Sequence, residues 1–150
     1  MTNSAVVAVD LDRGECFRLL GSKAVGRICV VENGYPVAFP VNYRLVFEGG
    51  DMPVIIIRAR SGSVLDVSGT KVGFQLDGID PIDETGWSVL ARGELHDGLV
   101  ADAPDWLKYW NPRPWVGPRD QWLYMPVSEV SGRSLLVAVT ECDPGMTGYL

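Results

Sequence analysis

The run from Pro36 to Phe47 constrains the fold more than any other stretch of the chain. Val37, Phe39, Val41, Tyr43 and Leu45 recur at every second position, with Ala38, Pro40, Asn42 and Arg44 between them. A period of two belongs to a strand, whose successive side chains point to opposite faces. One face of this segment must be covered, while the other can meet water. The alternation returns in Val72, Phe74 and Leu76. It returns again in Trp87, Val89, Ala91 and Leu95, opposite Ser88, Arg92, Glu94 and His96.

Turn signals separate these runs. Strands over 24–31 and 36–47 flank Glu32-Asn33-Gly34-Tyr35, and Asn-Gly between two apolar arms predicts a hairpin. Gly49-Gly50-Asp51 turns the chain into a strand over 53–60, built on Val54-Ile55-Ile56-Ile57. A strand over 71–77 is followed by a loop over 78–86, rich in Asp, Pro and Gly. Leu135 to Thr140 reads as the last strand. Helices are short and peripheral. Asp12 and Glu15 have capping-box spacing at the start of a helix over 11–20, which Gly21 ends. Segments 63–67 and 100–109 are also helix-compatible, and residues 1–10 read as a disordered or extended N-terminal segment. The expected fold is mainly β, a single domain over 1–150: an antiparallel barrel or sandwich, with closure removing its sticky edges.

Charge and cysteines narrow the partners. The net charge of −6 argues against general binding of nucleic acid or anionic membranes, which needs a basic surface. Cys16, Cys29 and Cys142 share no metal-ligand spacing, and His96 is the only histidine, so neither a zinc site nor a disulfide framework is expected. Reduced cysteines in a cytoplasmic protein are the simplest account. The start of the chain does not read as a signal peptide, and no apolar run has membrane-spanning length. Asp77, Asp80, Asp83 and Glu84 lack calcium-loop spacing and are interrupted by Pro81, so they read as a solvated loop.

The chemistry-bearing stretch is Arg58-Ala59-Arg60-Ser61-Gly62-Ser63, where a strand ends and a helix can begin. Free amides at a helix start and arginine side chains together suit a phosphate. An ordinary polar turn with solvated arginines has the same composition. Pro40 cannot donate to a ladder, so its position is an edge or a bulge. His96 has no orienting acid: Asp97 faces the other way, and only Glu94 shares its face. Four of the five tryptophans lie between Trp106 and Trp122, in a proline-rich segment that suits a pocket for a flat ligand, an interface, or the cover of one barrel end.

Six segments in order carry a family resemblance: Gly26-Arg27-Ile28, Pro36 to Tyr43, Ile57 to Ser63, Val72 to Asp77, Gly86 to Gly93, and Ser131-Gly132-Arg133. Together they resemble the pyridoxamine 5′-phosphate oxidase-like flavin-binding proteins. The resemblance implies a split β-barrel and a homodimer with flavin mononucleotide (FMN), or a deazaflavin relative, at the interface. It places Pro40, Val41, Asn42 and Tyr43 along the isoalloxazine ring and Arg58, Ser61, Gly62 and Ser63 on the phosphate, with Ala59 and Arg60 in the same segment. Trp87 lies near that site. The family commonly has lysine where this chain has Val64. Either Arg60 or Lys71 compensates, or the cofactor is weakly held or absent. Two functions follow as expectations. One is a flavin-dependent oxidoreductase of unknown small-molecule substrate, in which the cofactor carries the redox chemistry. The other is a non-catalytic module for a flavin, haem or other planar ligand. No pyridoxamine phosphate site is recognisable.

Overall fold

The computed structural model describes residues 2–47, 50, 52–59, 69–97 and 121–141. In chain order the elements are β1 (Thr2–Asp10), α1 (Arg13–Leu20), β2 (Val25–Glu32), β3 (Tyr35–Val46), β4 (Val54–Ala59), β5 (Thr70–Asp80), β6 (Thr85–Asp97) and β7 (Gln121–Glu141). Every strand pairing is antiparallel, in the order β1-β7-β4-β3-β2-β5-β6, and β6 returns to β7. Strands β2 to β7 thus close a six-stranded ring, with β1 added outside it. This is the split-barrel architecture.

The alternating residues lie where the period of two places them. Val41, Tyr43, Val72, Phe74, Leu76, Val89, Ala91 and Leu95 are buried in one core, and Val37, Phe39, Leu45 and Trp87 pack against it. Asn33 and Gly34 turn the β2–β3 hairpin with φ of 49° and 81°, the pair of left-handed residues that a two-residue hairpin loop requires. Helix α1 packs on the barrel through buried Cys16, Phe17, Leu19 and Leu20. The Asp12 carboxylate accepts the Glu15 N–H at 2.8 Å, as its capping position predicts. At the other end of the helix the Tyr43 hydroxyl donates to the Leu20 carbonyl.

Two expectations are corrected, and two that the sequence left open are decided. Residues 78–86 are not one loop: β5 continues to Asp80 and β6 starts at Thr85, leaving a tight turn in which the Asp80 carboxylate accepts the N–H groups of Ile82 and Asp83. Residues 2–10 form a strand, because the end of β7 supplies them with a partner. The last strand is not confined to 135–140 but runs for 21 residues. Its alternation was hidden by a bulge. Gly93 pairs with Val127 and Arg92 with Glu129, so Ser128 is extra, and its hydroxyl donates to the Arg92 carbonyl at 2.9 Å. The core-facing residues change phase there, from Leu123, Met125 and Val127 to Val130. Finally, Pro40 sits at no bulge, since β2 and β3 pair in unbroken register from Val25↔Asn42 to Glu32↔Tyr35. It is a local edge. The Tyr43 N–H faces β2, so the nitrogens of Pro40 and Asn42 face the other way, and the pairing with β4 begins only at Asn42. The helical expectations over 63–67 and 100–109 fall outside the described residues.

Candidate functional site

The site is built on the outer face of the sheet at the end of β4. Ile55 and Ile57 enter the barrel core, so the residues between and after them, Ile56 and Arg58, point outward. Arg58 stands between Asn42 on β3 and Trp122 on β7. Its guanidinium lies 4.4 Å above the centre of the Trp122 ring, a cation–π contact that orients the planar group, and its Nε is fully buried. Below this pair Val46 and Ile56 are buried with Val54, Trp122 and Tyr124 in a second, smaller apolar cluster. The aromatic strip continues to β6, where His96 stacks on Tyr124 at 5.2 Å with 29° between the planes.

On the other side of Arg58, the outer face continues through Asn42 and Pro40 to Arg27 on β2. Arg27 donates to Gln75 at 2.8 Å and to Asp77 at 3.1 Å, and Gln75 also donates to Asp77 at 2.9 Å. The Gln75 amide, then the charge of Arg27, hold the Asp77 carboxyl below its usual range. Arg44 occupies the same outer face, paired with Ile56. Arg44 and Arg58 thus share the outer face, while Arg27, further along it, is ion-paired with Asp77. Among the described residues no strand pairs with β3 at Pro40 on the side away from β2.

The structure sorts the predicted site residues. It brings together Pro40, Asn42 and Arg58, whose side chains share the outer face. Val41 and Tyr43 belong to the core, 7% and 3% exposed, and can offer a ligand only their backbone. Burial pushes the Tyr43 hydroxyl up to about 12. The backbone of Ala59 is the last residue of β4, while Arg60, Ser61, Gly62, Ser63 and Val64 fall outside the described residues, as does 106–115 of the tryptophan-rich segment. Lys71 is not beside Arg58. It lies on the outer face of β5 opposite Glu94, with β6 and β7 between it and β4. There it borders a groove of about 860 Å³ that also has Cys29, Leu90, Arg92, His96 and Glu129 in its walls. Trp87 is further away. It pairs with Ser134, twelve residues along β7 from Trp122, or roughly 40 Å of strand path. It packs over Gly78 and against the core, with the Lys23 ammonium 5.3 Å from its ring centre. In the strand register of one chain Trp87 does not stand beside Arg58.

His96 has Glu94 at 3.9 Å, too far for a hydrogen bond, so Glu94 does not orient it. Among the described residues no group of His, Cys, Asp and Glu could hold a metal ion. Trp122, which lies under Arg58, belongs to the tryptophan-rich segment read from sequence as suited to a flat-ligand pocket, an interface or a barrel cover, whereas Arg27 was not singled out as a site residue. The period of two separates Asn42 from Val41 and Tyr43, and the β3–β4 register sets it beside Arg58.

Six antiparallel strands closed into a ring, with β1 outside it, define the split-barrel class, and the family follows from the chain itself. Residues 12–134 match the profile of the pyridoxamine 5′-phosphate oxidase family, and the chain belongs to that family. It is 34% identical, over 121 residues covering 75% of each chain, to the uncharacterized protein Rv0080 of Mycobacterium tuberculosis (strain ATCC 25618 / H37Rv). Its fold matches a conserved protein of unknown function, DIP1874, from Corynebacterium diphtheriae, with a TM-score of 0.69 and 25% identity over 86% of this chain and 98% of that one. It also matches the FAD binding protein from Mycobacterium smegmatis, with a TM-score of 0.60 and 25% identity over 85% and 98%. No described helix is long and apolar enough to cross a membrane.

Proposed function

We propose that this protein is a cytoplasmic flavin-dependent oxidoreductase that holds FMN on the outer face around Arg58, at an interface between two copies. The observation that carries this reading is the Arg58 guanidinium, 4.4 Å over the centre of the Trp122 ring, at the strand position that pairs with Asn42. An oriented guanidinium at a strand end suits a phosphate, because its N–H fork can donate two parallel bonds. The uncovered β3 edge at Pro40 and the backbone of Val41 and Asn42 suit the polar rim of a flat ring system. The named flavin binding of the Mycobacterium smegmatis relative supports the ligand class. A bound flavin would accept and return hydride, so the chain's task is to hold, orient and shield it. That task agrees with a site that has no prepared acid–base pair around His96.

A second reading is a barrel that binds a flavin, a deazaflavin or haem without turnover, or that has lost its ligand. Val64, at the position where the family commonly has lysine, favours it.

The test is an absorption spectrum of the purified protein, followed by titration with FMN and riboflavin. Arg58→Ala should weaken FMN binding by tenfold or more, since a charged hydrogen bond contributes about 1.5–3 kcal/mol. Riboflavin, which has no phosphate, should bind both proteins alike. Equal FMN affinity in parent and variant refutes the phosphate assignment. A colourless parent that ignores added FMN refutes the oxidoreductase reading and leaves the second.

A further inference from the structure

The groove of about 860 Å³ lies on the outer face where β5 begins and β6 ends. Its size falls within the ~300–1,000 Å³ of small-molecule sites. A missing side chain makes its floor. On β5 the outward position between Lys71 and Gln75 is Gly73, which pairs with Cys29 of β2 on one side and with Arg92 of β6 on the other. A Cβ added at Gly73 would lie 3.4 Å from Leu90 and 3.5 Å from Cys29, so it would fill the space between these two side chains. A glycine inside a strand often marks a close approach by a ligand. The flanks are apolar. Val31 and Pro36 pair across the β2–β3 hairpin, and Pro126 stands on β7, beyond β6.

Two cations stand on the rim. Lys71 pairs with Glu94 and Gly73 with Arg92, so Lys71 and Arg92 are diagonal neighbours across the β5–β6 ladder. Such neighbours have Cβ atoms within roughly 8 Å, and one carboxylate between them can meet both long side chains. Among the described residues no carboxylate is in ion-pair range of Lys71, and Glu94 is in range of His96 instead, at 3.9 Å. Arg92 meets Glu129 at 3.4 Å, with both side chains more than half exposed. An exposed pair of this kind contributes little and can yield to another carboxylate. We propose that the groove binds a small aromatic carboxylate, its anion between Lys71 and Arg92 and its ring over Gly73, against Leu90 and Cys29. Charge limits the class. Glu94 and Glu129 share the rim and the chain carries −6, which disfavours a polyphosphate or a nucleic acid. A single negative charge with an apolar body suits two cations above an apolar floor. The proposal does not rest on the flavin reading, since none of these groups stands beside Arg58.

The probe is 1-naphthoate, and 1-naphthamide, the same ring without the charge, is its control. Two readouts use the full chain. Isothermal titration gives affinity, and the rate at which iodoacetamide alkylates half-buried Cys29, followed on its own peptide by mass spectrometry, reports the place of binding. Millimolar 1-naphthoate should bind and slow the alkylation of Cys29 severalfold. The double variant Lys71→Gln with Arg92→Gln, at two exposed positions, should bind 1-naphthoate about tenfold or more weakly and 1-naphthamide as the parent does. Gly73→Val, which fills the floor, should abolish protection of Cys29 by either compound. Alkylation of Cys29 that millimolar 1-naphthoate leaves unchanged overturns the proposal, even where titration detects binding, because the ligand is then elsewhere. Equal affinity for 1-naphthoate in the parent and the charge variant overturns it too. Should Gly73→Val fail to fold, the charge variant and the protection of Cys29 in the parent decide.

Discussion

Removing one oxygen from the barrel core, by Tyr43→Phe, separates two roles of Tyr43. Its ring meets Phe74 edge-on at 4.7 Å, and phenylalanine keeps that contact. The hydroxyl donates to the carbonyl of Leu20 at the end of α1. Without it, a buried helix-end carbonyl loses its partner, which costs about 1–3 kcal/mol at neutral pH. The sign reverses in alkali. Burial raises the Tyr43 hydroxyl from 10.0 to about 12, so the folded state holds that proton more tightly than the unfolded state. The stability this confers is fully present below pH 10 and is lost as pH rises through about 12. Between these values the parent should lose about 1.4 kcal/mol per pH unit, or roughly 2 kcal/mol by the upper one. The variant has no such group. Its deficit should therefore shrink with pH, and the two stabilities should meet or cross near the upper end. Urea unfolding of both proteins, followed by tryptophan fluorescence from pH 7 to 11.5, measures the difference. A deficit that stays constant across that range would refute the coupling between burial and ionisation at Tyr43.

Gly26→Ala should destabilise the barrel by about 1–3 kcal/mol and lower the thermal midpoint by several degrees, because an added Cβ would lie 2.3 Å from the ring of fully buried Phe74. Calorimetry finding an unchanged midpoint would mean that the ring moves freely. Asp77→Asn should weaken the protein at pH 7 and make no difference in acid. The depressed Asp77 carboxyl contributes stability above its ordinary value near 4, and this is lost as pH falls through its lower folded value. Urea midpoints at pH 7 and pH 3 should show the gap between parent and variant closing.

Much of the barrel was legible in the chain because strand burial has a period of two. Val37 to Leu45, Val72 to Leu76 and Trp87 to Leu95 declare their inner faces without reference to the rest of the molecule, and Asn33-Gly34 declares its turn through the backbone angles it can adopt. Asp12 and Glu15 likewise mark a helix start by a local hydrogen bond. The family segments, in order, named the same fold. What the chain could not declare depends on pairing between distant residues. The bulge at Ser128 breaks the alternation of β7, and only its register with β6 across Gly93 reveals one strand instead of loop and strand. Residues 2–10 look unremarkable alone and become a strand because β7 extends far enough to pair with them. The candidate site divides in the same way. Residue types drew attention to Arg58, Asn42 and Pro40. Tertiary structure decided that these three share an outer face with Trp122, that Val41 and Tyr43 turn inward, and that Trp87 stands at the far end of β7. Local chemistry is written in neighbouring residues; which strand lies beside which is settled only when the sheet closes.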